Sequence, residues 1–121
     1  MRIRREIVVF DTPDLERESS FWAALTGGEV RGDDADWRTV YVDGEPRYGF
    51  QLAPGHERPS WPDGPQQQLH VDLYVDDIRE AHEHAIAVGA TLLRAADDPG
   101  SVEGFQVYAD PSGHPFCLCW G

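Results

Sequence analysis

Val40-Tyr41-Val42-Asp43, followed by Phe50-Gln51-Leu52, returns as Val107-Tyr108-Ala109-Asp110, followed by Phe116-Cys117-Leu118. Upstream of each copy lie a β-branched run, an acidic turn and a helical stretch. These are Ile7-Val8-Val9-Phe10 before Asp14-Leu15, and Leu69-His70-Val71-Asp72-Leu73 before Asp77-Ile78. Ile7 falls on His70 at an offset of 63 residues, and Gln51 falls on Cys117 at 66. A repeat of this kind marks a supersecondary unit that cannot bury its apolar face alone. A half of about 60 residues hides only about 60% of its unfolded surface. The halves are therefore expected to pack together or against another chain, in a pseudo-twofold fold.

Working outward, each half reads as βαβββ. In the first, a strand is expected over Arg4–Phe10, then a helix opened by a Thr12 hydroxyl cap with Pro13 at its first position. Leu15, Trp22 and Leu25 recur at helical spacing beside Phe21, and Gly27-Gly28 ends the helix. Short strands fit Glu29–Arg31, Trp37–Val42 and Tyr48–Leu52, with turns at Gly32-Asp33-Asp34 and Asp43-Gly44-Glu45-Pro46. In the second half a strand is expected over Gln68–Val75. Asp77 and Glu80 then stand in capping-box spacing, and Ile78, Ala81, Ala85 and Val88 form an apolar stripe that stops at Gly89. Strands fit Thr91–Arg94, Phe105–Ala109 and Pro115–Trp120, the last two joined by the tight turn Asp110-Pro111-Ser112-Gly113. The expectation is α+β: module one over residues 1–53, a Pro/Gly-rich linker over 54–67, and module two over 68–121, with eight strands in a curved mixed sheet around a cleft.

Composition narrows the partners. At 121 residues the chain is one ordinary domain by length. Its net charge is -12, from 10 basic and 22 acidic side chains. Nucleic-acid binding is dominated by cationic contacts to phosphate, so that partner is excluded. A cationic small molecule is compatible, although the charge also serves solubility. No run approaches the ~20 apolar residues of a membrane span. The basic start, Met1-Arg2-Ile3-Arg4-Arg5-Glu6, lacks a signal-type apolar core, and the expected location is the cytoplasm. The two cysteines, Cys117 and Cys119, sit two apart on an expected strand, where the geometry opposes a disulfide.

The Phe-Trp-x-x-Leu-x-Gly-Gly helix end (Phe21 to Gly28), the Leu-His-Val-Asp-Leu strand and the closing Asp-Pro-Ser-Gly-His-Pro-Phe-Cys-Leu are carried on two βαβββ modules. In these the chain resembles the vicinal-oxygen-chelate superfamily of glyoxalases, bleomycin-resistance proteins and extradiol dioxygenases, and within it the small glyoxalase-like proteins. The resemblance spans essentially the whole chain. It implies a cleft with metal ligands on the first and last strand of each module, which here are Ile7, Gln51, His70 and Cys117. Ile7 cannot bind metal, Gln51 is a weak neutral ligand, and Cys117 stands where a carboxylate is usual. Only His70 is of the expected type, so the expectation is a protein without the usual metal centre and without a cofactor.

Alternation sorts the faces. Leu69, Val71, Leu73 and Val75 are expected to face the helix, and His70, Asp72 and Tyr74 the cleft. On the closing strand Phe116, Leu118 and Trp120 alternate with Cys117 and Cys119, and on its counterpart Phe50 and Leu52 flank Gln51. The expected cavity walls are Gln51, His70, Asp72, Tyr74 and Cys117, with Trp37, Tyr41 and Trp61 as aromatic contributors. Trp61 reads equally as an anchor pinning the linker to the core. His70 with Cys117 also reads as a zinc pair completed by Gln51 or Asp72, or as a nucleophile dyad that lacks an orienting acid. His56, His84 and His114 read as linker, surface and turn residues, and His82 as surface. The leading functional reading is a homodimeric binder of a small organic molecule, planar or partly cationic. The alternatives are a metal-dependent lyase, isomerase or dioxygenase with an altered ligand set, and an interaction module with a vestigial cleft.

Overall fold

Each copy of the repeat folds as a strand, a helix and three further strands. In the computed structural model, which describes residues 2–64 and 69–121, the order is β1 (Val8–Thr12), α1 (Leu15–Thr26), β2 (Glu29–Arg31), β3 (Trp37–Val42), β4 (Glu45–Leu52), β5 (Val71–Tyr74), α2 (Ile78–Val88), β6 (Thr91–Arg94), β7 (Gly104–Ala109) and β8 (Pro115–Trp120). The architecture is α+β, two βαβββ modules. The eight strands lie in two four-stranded mixed sheets, ordered β1-β4-β3-β2 and β5-β8-β7-β6. In both, the outer first strand runs parallel to the last, and the remaining pairs are antiparallel. The chain divides into two compact units, one ending at His56 and the other beginning at Glu57.

In the first unit an aromatic stack holds helix to sheet. Phe10 lies 5.0 Å from Trp22 and 5.7 Å from Phe50 between ring centroids, and Trp22 lies 5.1 Å from Tyr48. Trp22 is fully buried and donates its indole N–H to the buried Glu18 carboxylate at 3.2 Å. The helix is capped by Asp14, whose side chain accepts from Arg17 N, and not by Thr12. Thr12 is the last residue of β1 and fully buried, and its hydroxyl bonds the Asp14 backbone instead. A residue still paired in the sheet cannot turn its side chain to the helix end. Gly27 ends the helix at φ 74°, where a Cβ would be strained.

Four strands differ from the sequence expectation, β7 only by starting one residue early, at Gly104. β1 starts at Val8 rather than Arg4 and runs on to Thr12, because its parallel pairing with β4 spans Val8↔Tyr48 to Thr12↔Leu52. β4 starts at Glu45, since Asp43 and Gly44, both at positive φ, alone make the hairpin turn. β5 covers only Val71–Tyr74. Leu69 is 78% exposed and does not pack on the helix as alternation had placed it, and Gln68 lies outside the described residues.

The sheet register also corrects the repeat. Phe50 opposes Phe10, and its counterpart Phe116 opposes Val71. First strands therefore match at an offset of 61, while the helix caps Asp14 and Asp77 match at 63. The path from Leu73 to Asp77 is two residues longer than that from Thr12 to Asp14. The first-module counterpart of His70 is thus Val9, not Ile7. Asp11, opposite Gln51, is the counterpart of Asp72, opposite Cys117.

Candidate functional site

The site is built from one face of the second sheet. β5 turns its even-numbered side chains to that face, and β7 and β8 turn their odd-numbered ones. The ladder aligns them in rows: Asp72 beside Cys117 beside Val107, and Tyr74 beside Cys119 beside Phe105. The other face carries Phe116, Leu118, Tyr108 and Gln106, all buried. Asp77 caps α2 there by accepting from Arg79 and Glu80 backbone N–H, and Ile78 and Ala85 are its buried side chains. Helix packing claims one face, so the first is left to form a cavity.

That cavity has a volume of about 760 Å³. His70 and Asp72 supply its polar wall, with His70 Nε2 3.2 Å from Asp72 Oδ1. Trp61, Phe105, Trp120 and Tyr74 supply the aromatic walls, and Val107, Cys117 and Cys119 the floor. Trp61 is partly buried against that floor, so it pins its loop and lines the cavity at once. Tyr74, 74% exposed, stands at the mouth.

The surroundings disfavour both thiols as nucleophiles. Burial, reinforced by the Asp72 carboxylate and by Cys119, pushes Cys117 up to about 12. Burial and Asp72 likewise raise Cys119. A thiolate is the reactive form, and here the surroundings suppress it, so the dyad reading of His70 with Cys117 finds no support.

Of the expected site residues, Trp61, His70, Asp72, Tyr74 and Cys117 line this one cavity. Gln51 and Trp37 belong to the first unit, where they face each other across β3 and β4. Trp37 is half-buried, with its indole N–H bonded to Thr39 Oγ1 at 2.9 Å. Tyr41 carries the Arg31 guanidinium over its ring at 4.0 Å. Sequence reasoning missed Glu103, Phe105 and Trp120. Alternation set Trp120 with Phe116 and Leu118, and its ring lies on that face, over Gly104, its partner in the ladder; the residue borders the cavity at the end of the sheet.

His82 is a correction. Expected at the surface, it is half-buried, with Nδ1 2.8 Å from the Tyr108 hydroxyl. The same hydroxyl accepts from Gln106 Nε2 at 2.7 Å, and Gln106 Oε1 accepts from Ala96 N–H. This polar chain satisfies the fully buried Tyr108 and lies on the helix side of the sheet. His114 has the expected structural role: its Nδ1 is 2.8 Å from Asp110 Oδ2, and Asp110 Oδ1 closes the turn by accepting from Ser112 and His114 N–H.

His70, Asp72 and Cys117 bring one nitrogen, one oxygen and one sulfur within 4.8 Å of one another. Zinc holds nitrogen and oxygen at about 2.0–2.2 Å and sulfur at about 2.3 Å, so tetrahedral neighbours stand roughly 3.3–3.7 Å apart. At up to 4.8 Å the cluster is wider than that spacing as it stands, and its mixed donor set suits a borderline ion. These residues fit a zinc-type cation with an open fourth position.

A family model described as "Glyoxalase-like domain" matches residues 7–119. Among solved structures, a glyoxalase/bleomycin resistance protein/dioxygenase family enzyme from Burkholderia phytofirmans PsJN superposes with a TM-score of 0.71 at 19% identity, covering 94% of this chain and 95% of that one. The fosfomycin resistance protein FosX from Listeria monocytogenes gives 0.75 at 13% identity, covering 100% and 95%. A glyoxalase-related enzyme from Fulvimarina pelagi gives 0.70 at 20%, covering 98% and 89%. At these identities the likeness is one of fold. No curated protein sequence matches. Among the described residues, no helix is long and apolar enough to cross a membrane.

Proposed function

The chain belongs to the glyoxalase-like domain family, and so to the vicinal-oxygen-chelate superfamily, and from that premise we propose that its second unit binds a small organic molecule in the cavity on the open face of β5, β8 and β7. One observation carries the reading: a cavity of about 760 Å³ whose walls are aromatic and whose polar groups converge at His70 and Asp72. That is the composition of small-molecule sites, which are mostly apolar with a few placed polar groups. Their volumes run about 300–1,000 Å³.

The residues divide the work. Trp61 and Phe105 offer flat apolar area for ring stacking. The His70 imidazole can donate or accept, and Asp72 holds its orientation through the 3.2 Å contact. The un-ionised Cys117 and Cys119 behave as small hydrophobes at the floor. A second reading rests on the three-donor cluster: His70, Asp72 and Cys117 would hold a zinc-type ion. Bound there, it would supply Lewis-acid polarisation of a ligand oxygen. The leading reading stays metal-free, because Val9 and Gln51, the first-module counterparts of His70 and Cys117, bring no anionic donor.

The test is native mass spectrometry of freshly purified protein, with thermal shift against aromatic amines, antibiotics and short oxo-acids. His70→Ala is expected to lose every hit while its melting temperature stays close to the parent's, because His70 is exposed and faces away from the helix. His84→Ala, at an exposed position on α2, is expected to keep them all. A folded His70→Ala protein that binds normally would show that this cavity is not the site. An unfolded one would make His70 structural.

A further inference from the structure

We propose that the ligand of this cavity is a planar organic cation, stacked on Phe105 with its charge between the Asp72 and Glu103 carboxylates. The inference rests on the ligand-site reading above and deepens it to a chemical class.

Charge comes first. Among the described residues lining the cavity, the carboxylates are Asp72 and Glu103, and neither arginine nor lysine is present. The chain has no lysine at all. Arg94 lies instead in an adjoining hollow, shared with Asp97, Asp98 and Glu103. An anionic ligand would enter a net field of -12 and meet two like charges, with His70, already beside Asp72, as the one basic side chain among the described lining residues. A cation meets attraction at both ranges, and aromatic faces add a quadrupole term of the same sign.

The platform comes second. Phe105, 52% exposed on β7, is an open aromatic face of the cavity, in the row of Tyr74 and Cys119. Trp61 lines the same cavity, packed against its floor. Trp120 is 9% exposed, with its indole N–H anchored to Ser101 O at 2.9 Å and its ring over Gly104 on the opposite face, so it closes the end of the sheet rather than meeting the ligand.

The experiment uses the whole chain in chelator-containing buffer, with three probes of one shape. They are 1-methylquinolinium, 2-methylquinoline, which is neutral at about pH 8, and quinoline-2-carboxylate. Binding is read by calorimetry and by tryptophan fluorescence. The cation is expected to bind at least about tenfold tighter than its neutral isostere, and the anion not at all. Glu103→Gln, a change at an exposed carboxylate, is expected to weaken the cation by about threefold and leave the neutral probe alone. Added salt should do the same. Phe105→Ala should weaken both ring probes, and Phe105→Tyr, which keeps a ring, should retain the preference for the cation. Equal binding of cation and neutral probe, with Glu103→Gln silent, would overturn the charge class and leave the ligand site standing. Failure of all three probes, or cation binding unchanged in His70→Ala, would overturn both. Normal binding of both ring probes in Phe105→Ala would remove its stacking role.

Discussion

Phe116→Ala tests how the second sheet is assigned its two faces. Phe116 is 0% exposed, sits between Val71 and Tyr108 in the ladder, and stacks on the Tyr108 ring at 5.5 Å and 20°. Removing a buried phenyl ring returns roughly 150 Å² of apolar area to water, about 4 kcal/mol at 25 cal/mol/Å². Partial collapse of the site and the lost ring pair pull in opposite directions, and phenylalanine truncations in cores cost about 3–5 kcal/mol. For 121 residues the unfolding entropy is about 0.25 kcal/mol/K, so the melting temperature should fall by roughly 12–20 °C. Phe50, also 0% exposed and stacked on Phe10 at 5.7 Å, is its counterpart in the first unit. The repeat predicts a loss of the same size for Phe50→Ala. Denaturant melts followed by circular dichroism, with the slope checked for constancy, measure both. A loss below about 1 kcal/mol for either would refute the face assignment.

Other outcomes follow from the same geometry. Cys117, raised to about 12, should resist iodoacetamide at neutral pH in the native protein and react after unfolding. Its folded-state value lies above the ordinary thiol value of 9.0, so the contribution is fully present below pH 9 and is lost as pH rises from there towards 12. Tyr108 and Tyr48, both raised by burial, act in the same direction, and stability should fall on the alkaline side, less steeply in Cys117→Ala. Elemental analysis of the purified protein should find no stoichiometric divalent metal; one equivalent of zinc, lost in His70→Ala, would favour the three-donor reading instead. The chain should be a homodimer, since Val8 and Val9 expose apolar surface on β1, an edge of its own sheet. Light scattering at tens of micromolar returning the monomer mass would contradict that.

The repeat made most of the fold legible. β2, β3, β6 and β8 stand where periodicity and turn residues placed them, because each is bounded by glycine, proline or acidic turns that stop a strand locally. β1 slid by several residues because its limits are set by pairing with β4, about forty positions away, and no local signal reports that register. The same non-local register moved the counterpart of His70 from Ile7 to Val9. Within the site, period-two alternation was enough to put His70, Asp72 and Tyr74 on one face. It also placed Trp120, whose ring lies over Gly104 on the face of Phe116 and Leu118. His82 was misplaced because its environment is set by a distant element. Its partner Tyr108 lies 26 residues on, across the helix–sheet packing.

The most direct measurement of the central claim is a proton–nitrogen correlation spectrum of the four tryptophan indole N–H groups during titration with 1-methylquinolinium. If the open face of the second sheet is the binding site, the Trp61 signal shifts saturably, and the signal of Trp22, sealed in the first unit's core, stays put. Saturable binding that leaves Trp61 unmoved would contradict the account.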